Sequence, residues 1–254
     1  LILDKASGAL WCSDHRGLFK ISNPFSPSHA SMRQHLQYNR LQGEALSKIK
    51  DLCIDSYGNL WIATASQGVF YRQLASSPFR NLWNESFQDF GFKQNEIMAL
   101  AEGTDGTVYM VVEHATLFSY RPDTGKLTKL LSVNSPYMSP VYCQALAVSH
   151  DNRHLYIGTN VGIFIYDIRR QMMLSDISRL LPGRSIVCMI EDNQGNLWVA
   201  TWGNGLYRIA HPLKSPLNTL ELNTSSDPQL LSDNITYMHM RGDYVYLCTN
   251  NGLN

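Results

Sequence analysis

An internal repeat of about 47 residues constrains this chain more than any other feature in it. Six segments follow one template: ALWCSDHRGLFKI (9–21), NLWIATASQGVFYRQ (59–73), TVYMVVEHATLFSY (107–120), HLYIGTNVGIFIYDI (154–168), NLWVATWGNGLYRI (196–209) and YVYLCTNNGLN (244–254). Their aromatic anchors are Trp11, Trp61, Tyr109, Tyr156, Trp198 and Tyr246, at intervals of 50, 48, 47, 42 and 48 residues. Within a segment the residues alternate in period two. Trp61, Ala63 and Ala65 face one way while Ile62 and Thr64 face the other, the pattern of a strand packed on both faces. A second apolar run precedes each of the last five anchors: 48–55, 96–103, 141–149, 185–192 and 235–240. A Gly-containing link and a third run follow, and a more variable segment such as 126–133 or 217–223 closes the unit. The expectation is four short antiparallel strands per unit, a to d, over residues 1–47, 48–95, 96–140, 141–184, 185–234 and a partial 235–254. The longer connections 23–40 and 81–95 have room for a helical turn.

The turn between strands a and b carries its own chemistry. Asp55-Ser-Tyr-Gly-Asn-Leu-Trp61 and Asp192-Asn-Gln-Gly-Asn-Leu-Trp198 share the pattern D-x-x-G-N-L-W. An Asp at the start of a turn accepts hydrogen bonds from the backbone N–H groups that follow, and Gly supplies the positive φ that returns the chain to the sheet. The motif decays along the chain: Glu102 is read at the Asp position of the third unit and Arg153 at the Gly position of the fourth. Units that cannot bury both faces alone must stack, and radial stacking of four-stranded units makes an all-β propeller. The chain supplies five near-complete blades plus a partial sixth.

KDLCIDSYGNLWIATASQGVFYR (50–72) and VCMIEDNQGNLWVATWGNGLYRI (187–209) resemble the two-component-regulator propeller repeat; Val112 and Ala115 depart from it where Thr and Gly are usual. The resemblance extends, more weakly, over all six units. It implies a seven-bladed ring of which this chain is part, on the periplasmic side of a hybrid sensor histidine kinase of Bacteroides type. It also implies recognition of a glycan-derived oligosaccharide, homodimerisation through the parent protein, and membrane attachment through a downstream helix that this chain does not contain.

Other classes lack their residues. There is no GxSxG, HExxH, GxxxxGK or GxGxxG, and no acid–base pair stands out, so no catalytic residue, cofactor or metal ligand set is assigned. A propeller lyase would need a histidine at the channel mouth, for which His15 and His114 are the comparable positions. Asp192 to Asn196 resembles a calcium loop but lacks the distant bidentate Glu. Equal numbers of basic and acidic residues, 21 each, argue against nucleic acid as a partner; Arg169-Arg170 is only a pair. Cysteines 12, 53, 143, 188 and 248 form no CxxC pair and are expected as buried free thiols.

Ligand recognition is expected on the b–c loops, which share one end of the strands with the d–a connections. These loops offer His15, Arg16, Gln67, His114, Asn160, Trp202, Asn204 and Asn250. Planar amides bond hydroxyls and an indole stacks on a sugar face, so the set suits a polyhydroxylated ligand. Trp202 stands out because the other units carry small or polar residues there; it either meets a ligand or packs on the next blade. The His and Asn residues have an ordinary role as turn formers beside this one.

Overall fold

The computed structural model describes residues 1–14, 17–22, 35–38, 40–41, 44–46, 48–73, 79–82, 87, 90–92, 96–113, 116–132, 141–174, 180–213, 219–241 and 244–254. They form six antiparallel sheets in which consecutive strands pair in chain order. The first comprises Ile2–Leu3, Leu10–Asp14, Gly17–Ile21 and His35–Tyr38, and the second Ile49–Ile54, Asn59–Thr64, Val69–Gln73 and Arg80–Asn81. The third comprises Ile97–Glu102, Val108–Val112, Thr116–Arg121 and Lys126–Ser132, and the fourth Cys143–Val148, His154–Thr159, Gly162–Asp167 and Met172–Met173. The fifth comprises Ile186–Glu191, Asn196–Thr201, Leu206–Ala210 and Thr219–Leu222; the sixth has three strands, Ile235–Arg241, Tyr244–Thr249 and Gly252–Leu253. The architecture is thus all-β, and the described residues form six blades of three or four strands rather than five and a fragment. Part of the expected 23–40 connection is a strand, His35–Tyr38, and a small hairpin joins Arg40–Leu41 to Glu44–Ala45. None of the five cysteines is in a disulfide, but only Cys143 is fully buried, and that burial pushes its thiol up to about 12. Among the described residues no helix is long and apolar enough to cross a membrane.

The chain gathers into two compact units, residues 1–102 with 106–113 and 118–129, and residues 103–105 with 114–117 and 130–254. In the first, the alternation of Asn59–Thr64 has its expected result. Leu60, Ile62 and Phe70 pack with Trp11, Leu18 and Leu52 on one face. Trp61, Ala63 and Val69 pack with Val108, Met110 and Phe118 on the other. Trp61 lies parallel to Tyr71 at 5.1 Å and edge-on to Tyr120 at 5.5 Å. Removing an indole of this size from water contributes about 4–6 kcal/mol gross. In the second unit Tyr156 packs with Ile186, Met189, Leu197 and Val199, and Trp198 packs on Ile235, Met238 and Leu247. The first five anchors are largely covered, whereas Tyr246 is 41% exposed beside Tyr244 at 71%.

The a–b turns show why Asp precedes the indole by six residues. Asp55 Oδ1 accepts the N–H groups of Tyr57 and Asn59, and its Oδ2 accepts Asn59 Nδ2 and the Trp61 indole N–H at 2.7 Å. Asp192 repeats this, with the Trp198 indole at 2.9 Å. Burial disfavours the Asp192 charge, but the bonds from Asn196, Trp198 and Gln194 outweigh it and hold the carboxyl below its usual range. Two assignments made from the motif shift by one residue. Glu102 pairs with Val108 inside the ladder, ahead of the Asp position, and its carboxylate accepts the Ser56 N–H of the preceding sheet's turn. In the fourth sheet Val148 pairs with Leu155, so the turn from Ser149 to His154 is one residue longer than that from Asp192 to Asn196. Asn152, at φ 54°, takes the place of Gly195, and Arg153 is the inserted residue rather than a replacement. Ser149 Oγ accepts the N–H groups of Arg153 and His154 in place of the carboxylate.

Strand a is bulged at the same point in sheets two to six, between Ile49 and Asp51, Ile97 and Ala99, Cys143 and Ala145, Ile186 and Cys188, and Ile235 and Tyr237. A bulge adds local twist and re-aims side chains. In the second sheet it presents Asp51, whose Oδ2 accepts the Leu100 N–H of the third at 2.7 Å.

Two outcomes are expected. Asp55→Ala should cost about 2–4 kcal/mol in denaturant unfolding, because it strands a buried indole N–H and two backbone donors. Burial raises the Asp51 carboxyl to about 6 despite the bonds from Leu100 and Leu52. The unfolded carboxyl ionises near 3.8, so from there to about pH 6 the native state holds the extra proton and stability falls as pH rises. Asp51→Asn should flatten that slope in a pH series of unfolding midpoints; an unchanged slope would refute the assignment.

Candidate functional site

The strand ends that carry the b–c loops are closed by a repeated pair of bonds. The N–H of the first loop residue donates to the carbonyl just before strand a of the same sheet: Ala65 to Lys48, Glu113 to Glu96, Asn160 to Tyr142, Trp202 to Ser185 and Asn250 to Asn234, at 2.9–3.2 Å. These bonds place each b–c loop beside the d–a connection, as expected. The last strand-b residue is a threonine whose hydroxyl bridges the loop: Thr64 Oγ1 to the Gly68 carbonyl, Thr159 to Gly162, Thr201 to Gly205 and Thr249 to Gly252, at 2.7–2.9 Å. The Thr and Gly of these four sheets, three or four positions apart, therefore form a loop clamp, and the residues between them vary without disturbing it.

In the second unit Trp202 occupies such a loop and is 53% exposed, so it does not pack away under the next sheet. Gly203 (φ 82°) and Gly205 (φ 72°) flank Asn204 and turn the backbone sharply around it. The N–H groups of both glycines donate to the Asp233 carbonyl, while the Asp233 carboxylate is held by the Thr224 N–H and hydroxyl at 2.7 and 2.9 Å. The Trp202 loop is thus fixed to the connection entering the sixth sheet, whose next residue, Asn234, accepts the Asn250 N–H. On the other side Ser185, whose carbonyl takes the Trp202 N–H, lies with its hydroxyl 3.4 Å from Gln144 Oε1 on the bulge of the fourth sheet. Trp202, Asn204 and Asn250 therefore sit in one bonded neighbourhood, with Trp202 and Asn250 exposed and Asn204 half-buried.

Asn160 has a different role. Its side-chain oxygen accepts the Tyr142 N–H at 2.9 Å, closing its own loop. Gln67, in the first unit, is half-buried; its N–H donates to Thr64 Oγ1 and its carbonyl accepts Asn81 Nδ2. His15, Arg16 and His114 lie outside the described residues. Ser185, Gln144, Asp233 and Asn234 were not singled out from the sequence. They belong to d–a connections and to the bulge, which lack a motif that marks them. Among the described residues no cluster of His, Cys, Asp and Glu is arranged to hold a metal.

Residues 43–66 and 180–203 match the family described as Two component regulator propeller, and these are the two segments with the D-x-x-G-N-L-W turn. Both segments are thus similar to the two-component regulator propeller repeat. Two solved extracellular domains, described as parts of hybrid two component systems of B. thetaiotaomicron, superpose with TM-scores of 0.68 and 0.71 at 18% and 17% identity. Each covers 99% of this chain, and the chain spans only 37% and 32% of their lengths. Virginiamycin B lyase of Staphylococcus aureus superposes at 0.69 with 16% identity, over 100% of this chain and 81% of that one. At such identities these likenesses show the propeller fold and nothing finer. No curated protein matches the chain. Among the units of this chain the a–b turn recurs most closely in 55–61 and 192–198, while the b–c loops differ from one another, and Trp202 lies in such a loop.

The clamp gives a prediction. A Cβ at Gly205 would collide with the Leu222 carbonyl oxygen, and φ there is +72°. Gly205→Ala should destabilise the protein by about 2–4 kcal/mol in thermal or denaturant unfolding. Gly203→Ala, with only Asn234 Oδ1 nearby at 3.6 Å, should cost less.

Proposed function

We propose that this chain is the ligand-sensing propeller region of a hybrid two-component regulator, located on the extracellular or periplasmic side. It recognises a glycan-derived oligosaccharide and passes the signal to a downstream histidine kinase. One observation carries the reading: Trp202 is exposed on a loop that glycines and the Asp233 carbonyl hold in place. A solvated indole on a loop whose backbone is held, bordered by amide and hydroxyl groups, matches the needs of a sugar, whose ring face is apolar and whose rim is hydroxylated. Pre-ordering of the loop lowers the entropy lost on binding. The B. thetaiotaomicron neighbours, described as extracellular domains of hybrid two component systems, support both the role and the side of the membrane. Trp202→Ala should weaken oligosaccharide binding at least about tenfold in calorimetry without moving the unfolding midpoint. Unchanged affinity would remove this site from the proposal.

A second reading, contact with another protein, is favoured by a different observation. Tyr244, Tyr246 and Leu253 of the sixth sheet are 71%, 41% and 66% exposed, whereas strand b of the second and third sheets is fully buried. Self-association through this face, as the resemblance to dimeric sensors implies, would be detected by sedimentation and abolished by Tyr244→Glu.

A further inference from the structure

A second site lies at the opposite end of the fourth sheet, where the a–b and c–d turns meet. The ladder sets His154 directly opposite Asp167, and the Ile168 N–H donates to the Arg153 carbonyl at 2.8 Å. Strand pairing thus brings the inserted residue of one turn against the arginine pair of the other. Asp167 is buried and orders the c–d turn: its Oδ1 accepts the Arg170 N–H at 2.8 Å, and its Oδ2 lies 3.7 Å from the Arg170 guanidinium. Arg153, His154, Asp167, Arg169 and Arg170 line a pocket of about 380 Å³. That volume is within the range of small-molecule sites, roughly 300–1,000 Å³.

The charges in this pocket do not cancel. Asp167 is occupied by Arg170 and the turn amides, which hold its carboxyl below the usual range against the opposing effect of burial. Arg153 meets Asp151 only loosely, at 3.7 Å with both side chains more than half exposed. Among the described residues Arg169 faces no carboxylate partner. His154 adds a buried Nδ1 that has no hydrogen-bond partner. Guanidinium groups are forks matched to the paired oxygens of carboxylate, phosphate or sulfate. We propose that this pocket binds a small ligand through an oxyanion group, gripped by Arg153 and Arg169, with Asp167 and Arg170 acting as the frame. The site is separate from the Trp202 loop, since the b–c loops and the a–b turns lie at opposite ends of the strands. It does not depend on the oligosaccharide reading.

The experiment titrates the whole chain with inorganic phosphate, sulfate and acetate at constant ionic strength, following arginine Nε and backbone resonances by NMR. Saturable shifts at Arg153, Arg169 and His154 are expected with at least one of the three. The preferred anion separates a tetrahedral from a carboxylate ligand. Arg169→Gln and Arg153→Gln should each weaken the binding at least about tenfold, as expected for the loss of a charge-assisted contact. Lys126→Gln, a surface charge in another sheet, should leave it unchanged. Linear, unsaturable shifts with all three anions, or equal effects of Arg169→Gln and Lys126→Gln, would reduce the pocket to general screening of surface charge and overturn the proposal.

Discussion

A buried indole N–H must find an acceptor, and at Trp61 and Trp198 the acceptor is the carboxylate that also shapes the turn before it. Asp55 and Asp192 each serve both purposes, with one oxygen on the turn amides and the other on the indole and the Asn side chain. The arrangement couples two scales of structure. Turn geometry sets where strand b begins, and the strand's period of two then sends the indole toward the adjoining sheet. A slip of one residue would break the hydrogen bond and turn the anchor to the wrong face at once. Register is thereby specified locally, without reference to distant contacts.

The two ends of a sheet experience different constraints as a result. At the a–b end the side chains are committed to structure where the motif is intact. At the b–c end closure is carried by a backbone bond and a threonine hydroxyl, so the intervening positions are free to take Ser66 and Gln67 in one sheet and Trp202 and Asn204 in another. Variation there costs the fold little, which is the physical reason to look for recognition on those loops. Trp202 fits that expectation because its backbone is held tightly while its ring remains in water.

Much of this was legible in the sequence. Spacing of the anchors gave the number of units, and alternation around Trp61 predicted burial on both faces, as the two separate clusters on either side of Asn59–Thr64 show. The b–c loops were also identified, though Asn160 closes its own loop through Tyr142 rather than offering its oxygen to a ligand. What escaped detection shares one physical character. The extra residue in the fourth turn is invisible to alignment on the aromatic, because Asn152 adopts the positive φ without being glycine. The strand-a bulges leave no motif, and the links from Glu102 to Ser56 and from Glu191 to His150 join residues 46 and 41 positions apart. Such features depend on which residues pairing brings together, and pairing must be known before they can be read.

The basic pocket is the clearest case. Along the chain, Arg153 is one charge in an irregular turn and Arg169-Arg170 only a pair, in a protein of balanced charge. The pairing of His154 with Asp167 makes them neighbours, and the turn insertion supplies the third arginine. Where the structural motif is intact, as in the fifth sheet, Asp192 keeps this end of the strands committed to its indole. In the fourth sheet Ser149 replaces that carboxylate and Tyr156 replaces the indole, so the turn is released from the shared task. Loss of the motif and gain of the cationic cluster thus occur in the same turn. A repeat that has given up its structural acid has room for a chemistry its neighbours lack.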